Sequence, residues 1–306
     1  MQSTNLGRVI LWMTGTLLSF CVLAISVRGL AGVLNLFEIL TVRSFISLLV
    51  IFAVMAAQPQ VRAGLAARRL GVHFTRSVLH FGAQWLWVLG LTMLPLATVF
   101  ALEFTMPAWT TLLAAIFLAE RLTPSRIGVI LLGIVGVLVI LRPGLEIVQP
   151  AAFYVLLAAF GYATTMILTK QLTATESTLS ILFWMSLMQL PMGLLGADSL
   201  TFPLKLESHH ILAAVGLGVA SLSAHFCLAN AMRAGEASVV VPIDFLRIPL
   251  IALVGWWLYQ ESIDLFVFLG AGIIVLGVLW NLRAESRRFP APAAAAPQMA
   301  NASRRQ

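Results

Sequence analysis

The sequence predicts an all-α integral membrane protein with ten transmembrane helices, arranged as two inverted repeats of five helices. Three observations support this fold class. Of the 306 residues, 60% are apolar and only 10% are charged, whereas about 25% of the residues of a soluble domain are charged. The apolar residues form stretches of the length that crosses a lipid bilayer. The segment that begins at Phe100 is also repeated, with related residues, from Val241.

Ten stretches of mostly apolar residues approach the length of about 20 residues that a membrane span needs. The segments between them contain proline, glycine or charged residues, which are typical of connections. Pro95 marks a short turn between the third and fourth spans. In chain order, the predicted spans are Val9–Val27, Leu36–Ala56, Val72–Leu94, Thr98–Leu118, Ile127–Leu141, Ala151–Thr169, Leu179–Ala197, Ile211–Met232, Ser238–Leu258 and Ile263–Leu282.

The two copies of the repeat place matching acidic residues in the fourth and ninth spans. Glu103 aligns with Asp244 inside the span, and Glu120 aligns with Glu261 at its end. Because five is an odd number of spans, the second half has to enter the membrane from the opposite side, as in many secondary transporters. We therefore expect one five-helix repeat at residues 1–145, a second at 146–288, and a disordered cytoplasmic tail at 289–306.

The distribution of lysine and arginine predicts which helix ends are cytoplasmic. These residues are retained on the cytoplasmic side of a membrane. With the N-terminus inside, the outer loops contain only Arg28, Arg142 and Lys205, so both termini are expected in the cytoplasm. The net charge of +7 follows from this topology and from attraction to anionic lipids. The expected partner of the basic residues is therefore the lipid bilayer, and no nucleic acid.

Polar residues inside the spans are candidates for function, because a charge at the bilayer centre costs about 2.5–3.5 kcal/mol even on the mildest scale. In the third span, Arg76, His80, Gln84 and Trp87 share one face of the helix. Arg76 lies near the cytoplasmic end and could extend to the lipid head groups. His80 and Gln84 lie too deep for that. They either face a central cavity or form hydrogen bonds between helices.

The ninth span carries a second set of buried charges. Asp244 and Arg247 are three residues apart, which allows an ion pair within the helix. Prolines flank them, and the carbonyl group that a proline leaves free is tolerated in a membrane only beside protein or a water-filled cavity. The fourth span has the matching Glu103, but Met106 takes the place of the arginine. Similar pockets are therefore expected in both halves, with a fixed cation only in the second.

Other residues complete the candidate site. Trp109 and Trp87 could stack on a planar solute, and Tyr162 adds a polar patch in the sixth span, whereas His225 is a lone histidine in the eighth. In the second span, Glu38 is expected in solvent near the outer interface, and the deeper Arg43 needs a partner from another helix. The predicted substrate-binding residues are Arg76, His80, Gln84, Trp87, Glu103, Trp109, Tyr162, His225, Asp244 and Arg247.

These polar residues allow two interpretations. Acidic and basic residues are balanced within the spans, so they could neutralise one another and fix the register of the helices. Alternatively, they could line a path for a small solute. An intramembrane enzyme is disfavoured because no His-Glu-x-x-His motif or metal-ligand cluster is present, and a scaffold is disfavoured because the loops are too short to fold alone. The sequence favours a carrier without a metal or a cofactor.

Several motifs occur in the order that is found in one family of membrane proteins. They are "LFEILTVRS" in the second span, "FLAERLTP" after the fourth, "GVILLGIVGVLVILRPG" in the fifth and "LYQESID" after the ninth. With ten spans in two halves, the chain resembles the EamA family of the drug/metabolite transporter superfamily over essentially its whole length outside the tail. The segment "VPIDFLRIPL" is similar to a subgroup that includes carriers of S-adenosylmethionine and riboflavin.

This resemblance implies a secondary transporter of the bacterial inner membrane that works by alternating access. The cavity would be lined by spans one, three, four, six, eight and nine. The solute would be a small organic metabolite such as S-adenosylmethionine or an amino acid, while export of amino acids or amphipathic drugs is the alternative. The assembly would be a monomer or a homodimer.

Proton coupling is a further expectation. Glu103 and Asp244 are the carboxylates that lie deep enough in the membrane to exchange protons along a solute pathway. Arg247 beside Asp244 favours the charged form of that carboxylate. Glu103 is therefore the better candidate for the proton carrier.

Overall fold

The computed structural model describes residues 6–58, 65, 68–117, 123–143, 149–173, 175–235 and 237–288, so Glu120 and the predicted tail at 289–306 lie outside the described residues. The regular elements of the described residues are helices, which confirms the predicted all-α class. They are α1 (Leu6–Leu30), α2 (Leu36–Ala57), α3 (Leu70–Met93), α4 (Leu96–Glu103), α5 (Met106–Phe117), α6 (Pro124–Leu141), α7 (Pro150–Thr173), α8 (Thr178–Leu195), α9 (Ser208–Ala234), α10 (Ala237–Phe245), α11 (Arg247–Tyr259) and α12 (Leu265–Arg288), with a 3₁₀ helix at Phe202–Lys205.

Eight segments of the described residues are long and apolar enough to cross a membrane. They are α1, α2, α4 together with α5, α6, α7, α8, α9 and α12. These segments coincide with eight of the predicted spans. The remaining two predicted spans correspond to α3 and to α10 with α11.

The fourth and ninth predicted spans are each interrupted at matching positions. α4 ends at Glu103 and α5 begins at Met106, while α10 ends at Phe245 and α11 begins at Arg247. A proline follows shortly after each break. Because proline lacks an N–H group, it cannot continue the hydrogen bonds of the preceding turn. Glu103 therefore lies at the end of one half-helix, and Arg247 lies at the start of another.

Glu38 is buried, so the prediction that it lies in solvent is wrong. Its side chain is 0% exposed. Glu38 accepts a hydrogen bond of 2.9 Å from the backbone N–H of Asn35, while the Asn35 side chain accepts one from the backbone of Glu38. Lys205 in the 3₁₀ helix places its Nζ 3.0 Å from the carboxylate. The position of Glu38 in the sequence could not reveal this burial, because Lys205, which covers Glu38, is distant in the chain.

The strongest helix contacts connect one half of the chain with the other. α1 packs along α9, and α3 packs along α7, which are corresponding pairs in the repeat. α2 packs on α8 and α6 on α12, so each helix of these two pairs meets its own counterpart. α4 packs on α11, the second part of the other broken span. The two repeats are therefore interleaved in a single bundle.

α6 and α12 approach closely at two glycines. A Cβ atom added to Gly270 would lie 2.5 Å from the carbonyl oxygen of Gly136, and one added to Gly136 would lie 2.6 Å from that of Gly270. Small residues allow membrane helices to pack backbone against backbone. The contact between these two helices therefore depends on the absence of side chains at both positions.

Gly270→Ala is expected to destabilise the protein by about 1–3 kcal/mol, because the added methyl group overpacks the contact between α6 and α12. Gly272→Ala in the same helix is the matched control, since a Cβ atom there meets nothing within 4 Å. Thermal unfolding in detergent measures both. Equal unfolding temperatures for the two variants would contradict the prediction.

Candidate substrate-binding site

Glu103, Asp244 and Arg247 form a charge cluster at the two helix breaks. Arg247 Nη2 lies 3.1 Å from Asp244 Oδ2, as the spacing of these residues predicts, and Arg247 Nη1 lies 3.5 Å from Glu103 Oε1. The indole N–H of Trp87 donates a hydrogen bond of 2.8 Å to the other carboxylate oxygen of Glu103. The single cation is thus shared between an acid of the first half and an acid of the second.

Three phenylalanine rings surround Arg247. Its guanidinium carbon lies 4.1 Å from the ring centre of Phe20, 4.8 Å from that of Phe104 and 5.4 Å from that of Phe100. Such cation–π contacts hold a guanidinium in an apolar environment. Arg247 Nε and Asp244 Oδ1 are buried without a hydrogen-bond partner in the described part of the chain. A donor and an acceptor of the cluster are therefore unsatisfied within this part of the chain.

Arg43 is the centre of a second polar cluster, which we call the arginine network. Its Nε donates a hydrogen bond of 2.7 Å to Ser221, and its Nη1 donates to Gln84 at 2.8 Å and to Gln189 at 3.4 Å. Gln189 Nε2 lies 3.1 Å from the Nδ1 of His80. The network joins α2, α3, α8 and α9 and confirms that Arg43 needs partners from other helices.

The polar face of α3 connects the two clusters. Its deep residues His80 and Gln84 form hydrogen bonds between helices, and Trp87 reaches Glu103. Arg76 does not extend to the head groups, because its side chain is only 8% exposed. It donates a hydrogen bond of 2.6 Å from Nε to Thr169 in α7, and its Nη1 is buried without a partner among the described residues.

Tyr162 and His225 lie beside the same clusters. The Tyr162 ring packs against His80 with 5.5 Å between ring centres, and its hydroxyl is within electrostatic range of Glu103 and Arg43. His225 lies on α9 four residues after Ser221, the hydrogen-bond partner of Arg43, and therefore on the same face of that helix. Both side chains are thus placed among the candidate site residues.

Trp109 has a different environment. Its ring packs edge-on against Phe160 of α7, with 5.6 Å between ring centres.

The residues predicted from the sequence did not include Arg43, Ser221 and Phe20, which contact the two clusters. The buried charge of Arg43 was a usable signal, whereas serine and phenylalanine are too common in membrane helices to be noticed.

Arg28 and Glu261 close one end of the bundle, and we call this pair the end clamp. They form an ion pair. Arg28 also donates hydrogen bonds of 2.9 Å and 2.6 Å to the carbonyl groups of Leu91 and Leu94 at the end of α3. Glu261 accepts a hydrogen bond of 2.9 Å from the N–H of Leu96, the first residue of α4. The clamp therefore links α1, α3, α4 and the end of α11.

His73 and Glu176 tie helices together at the opposite end of α3. Their side chains are buried and form a hydrogen bond. Ser180 in α8 donates a hydrogen bond of 3.3 Å to Glu176, and the backbone N–H of Arg68 donates one of 3.1 Å. Burial raises the pKa of Glu176, but the hydrogen bonds and the charge of His73 outweigh it, so the pKa lies below its ordinary value.

Glu176→Gln is expected to lower the unfolding temperature at pH 7 and to have no effect in acid. A carboxylate with a lowered pKa stabilises the fold above its unfolded pKa of about 4.3, and this stabilisation is lost as pH falls through the folded value. Thermal unfolding of both proteins at pH 7 and in increasingly acidic buffer provides the measurement. A difference that is independent of pH would show that the charge of Glu176 contributes nothing.

Two cavities lie at opposite ends of the bundle. One of about 470 Å³ lies between α5, α6, α7 and α12, and Thr169, the partner of Arg76, lines it. The other, of about 410 Å³, lies beside the end clamp and is lined by Arg28, Tyr259 and Glu261. No group of three His, Cys, Asp or Glu side chains in the described ranges is arranged to hold a metal ion.

Apolar helices, buried charges at two broken helices and interleaved halves are the architecture of a membrane transporter. The chain belongs to the EamA-like transporter family, whose model matches it twice, at residues 7–142 and 149–283. It is therefore a multi-pass membrane protein that transports a small molecule, and it is not an enzyme.

Relatives with assigned solutes are similar over most of the chain. A riboflavin transporter of Rhizobium johnstonii is 32% identical over 237 residues, which are 76% of this chain and 78% of the relative. An S-adenosylmethionine uptake transporter of Rickettsia prowazekii is 26% identical over 278 residues, covering 91% of this chain and 93% of the relative. A solved crystal structure with 16% identity has a TM-score of 0.61, over 93% of this chain and 99% of that one, which shows a shared fold.

Proposed function

We propose that the protein is a secondary transporter of the bacterial inner membrane that moves a small organic metabolite by alternating access. The charge cluster is the observation that carries this proposal. Its three charges lie where two helices are broken, and they join the first half of the chain to the second. Secondary transporters bind solutes at such discontinuous helices, between halves that rock against one another.

Ten spans in two inverted repeats, at residues 1–145 and 146–288, would place this site near the middle of the membrane. α3 and the pair of α10 and α11 complete the ten spans. α4 and α10, the first parts of the broken helices, have 8 and 9 residues. At 1.5 Å per residue, each reaches about 12–14 Å into a hydrocarbon core about 30 Å thick. Entering from opposite sides, they meet near its centre, with both termini in the cytoplasm.

α4 provides a route from the site to the end clamp. Its first residue, Leu96, donates a hydrogen bond to Glu261, which follows α11. Its last residue, Glu103, faces Arg247, which begins α11. Arg247 and Glu261 thus hold the two ends of α4. A change of charge or the arrival of a solute at Arg247 is therefore transmitted along α4 to the end clamp. In this mechanism the clamp closes the outer end while solute exchanges with the other side.

The proposed solute is a heterocyclic or amino-acid metabolite, in the chemical range of the riboflavin and S-adenosylmethionine that the relatives transport. The polar face of α3 and the arginine network offer hydrogen-bond donors and acceptors, and Trp87 and Tyr162 offer aromatic faces. The proposed substrate-binding residues are Arg76, His80, Gln84, Trp87, Glu103, Trp109, Tyr162, His225, Asp244 and Arg247, together with Arg43 and its partners in the arginine network. Glu103 is the proposed proton carrier, with Asp244 as the second candidate.

Counterflow in proteoliposomes tests this function. Vesicles with the purified protein would be loaded with riboflavin, S-adenosylmethionine, an aromatic amino acid or a basic amino acid, and mixed with the labelled form of the same solute. Exchange of one solute, saturable and absent from empty vesicles, is the expected result. Imposing a proton gradient in either direction then distinguishes uptake from export. A folded protein that exchanges none of these solutes would contradict the proposed solute class.

A further inference from the structure

Two buried arginines lack a counter-charge among the residues that the structure describes. Arg28, Arg142 and Arg247 each have a carboxylate within 4.0 Å. Arg43 and Arg76 have none within the described residues: Arg43 donates to a serine and two glutamines, and Arg76 donates to a threonine. These partners satisfy hydrogen bonds, but they leave two positive charges uncompensated.

An uncompensated guanidinium inside a membrane protein is costly, because neither water nor a carboxylate stabilises its charge. Gln189 connects the two groups, because it accepts a hydrogen bond from Arg43 and donates one to the backbone carbonyl of Ser77, the neighbour of Arg76. Repulsion between the two charges adds to this cost.

Two histidines lie beside these arginines. His80 contacts Gln189, a hydrogen-bond partner of Arg43, and His225 follows Ser221, another partner of Arg43, by one helical turn. A cluster of this composition is most stable with an anion beside it.

Arg76 has a free donor at this place. Its side chain is more than nine-tenths buried, and its Nη1 has no hydrogen-bond partner among the residues that the structure describes. Its Nε is held by Thr169, which orients the guanidinium. Arginine forms strong, charge-assisted hydrogen bonds with the paired oxygens of carboxylates and phosphates. The unused donor is therefore suited to an oxyanion.

We infer that the transporter holds its solute by an anionic group, a carboxylate or a phosphate, which Arg76 and Arg43 bind with His225 beside them. This inference rests on the proposed function, since it names the substrate class of the same site. The charge cluster, with two acids for one arginine, lies at the other end of the polar face of α3. A solute that carries a cationic group as well as its anionic one would be oriented between the two.

The first experiment uses anions alone as probes. Thermal unfolding of the full-length protein in detergent is measured with increasing acetate or inorganic phosphate, at ionic strength kept constant with chloride. The wild-type unfolding temperature is expected to rise, and Arg76→Gln is expected to abolish the rise. Arg142→Gln, which removes an arginine of the peripheral pair with Asp264, is the matched control and keeps it. No rise in the wild type, or an equal rise in Arg76→Gln, overturns the inference.

The second experiment distinguishes a carboxylate from a phosphate. Binding is compared within two pairs of solutes that differ only in the anionic group: S-adenosylmethionine with its decarboxylated form, and riboflavin with flavin mononucleotide. The anionic member of one pair is expected to bind about tenfold more tightly, as one charge-assisted hydrogen bond supports. Arg76→Gln should remove this preference, and Arg76→Lys should retain part of it. A misfolded variant would lose both members of a pair equally.

The two proposals fail in different ways. If the protein exchanges a solute in proteoliposomes but prefers the form without the anionic group, the transporter assignment stands and the anion site is excluded. If anions stabilise the wild type through Arg76 while no tested solute exchanges, the anion site stands and the proposed solute class is wrong.

Discussion

Replacing Glu103 by glutamine is expected to abolish accumulation of the solute against its gradient while exchange of solute continues. Glutamine has the size of glutamate and still accepts the hydrogen bond that Trp87 donates to Glu103. It cannot take up and release a proton, and it leaves Arg247 with Asp244 alone. Solute should therefore reach equal concentrations on both sides of the membrane, because the variant lacks the proposed proton carrier and cannot couple transport to the proton gradient.

Uptake into proteoliposomes with and without a proton gradient measures this effect, and counterflow measures exchange. Glu38→Gln is the matched control, since Glu38 is also a buried acid but belongs to the capping box of α2; it should lower stability without uncoupling transport. Asp244→Asn separates the two candidates for the proton carrier. Accumulation that persists in Glu103→Gln and fails in Asp244→Asn would reassign the role to Asp244.

Arg28→Gln is expected to open the end of the bundle that the clamp holds, which we propose is the outer end. The substitution removes the ion pair with Glu261. It also removes the charged donor of two hydrogen bonds to the end of α3. A lost hydrogen bond to a charged group costs about 1.5–3 kcal/mol, which is about tenfold or more in an equilibrium constant. Access to the interior from the outside should increase by a similar factor.

Cys21 reports on this opening. It is a free, buried cysteine in α1, the helix that ends near Arg28. With Cys227 replaced by alanine, a membrane-impermeant maleimide added outside should label Cys21 about tenfold faster in Arg28→Gln, because labelling follows the fraction of open protein. Arg142→Gln in the same background controls for loss of an arginine elsewhere. Unchanged labelling, with the variant folded, would show that the clamp does not close the outer end.

Much of the architecture could be predicted from the sequence, because it depends on local properties. The apolar composition and the length of its stretches predicted a helical membrane protein, and eight of the predicted spans coincide with apolar helical segments. Proline and buried acids at matching places predicted related pockets in both halves, and the spacing of Asp244 and Arg247 predicted their ion pair. Residue types and spacings of a few positions are enough for such conclusions.

The partners of the buried charges could not be predicted in this way. Glu103 shares Arg247 with Asp244, although the two acids belong to different halves of the chain. Arg76 turns to Thr169 instead of the head groups, and Glu38 is covered by Lys205. In each case the partner comes from a distant segment, so periodicity along one helix contains no information about it.

The sequence by itself determined that this chain is a helical membrane protein built from a repeat, because hydropathy, helix periodicity and proline act over a few neighbouring residues. Only the tertiary structure decided which charges meet, and therefore which arginines are neutralised and which remain available to a solute. The physical reason is that a buried charge is stabilised by the groups around it in space, and these depend on how each helix is rotated and tilted against helices from the other half.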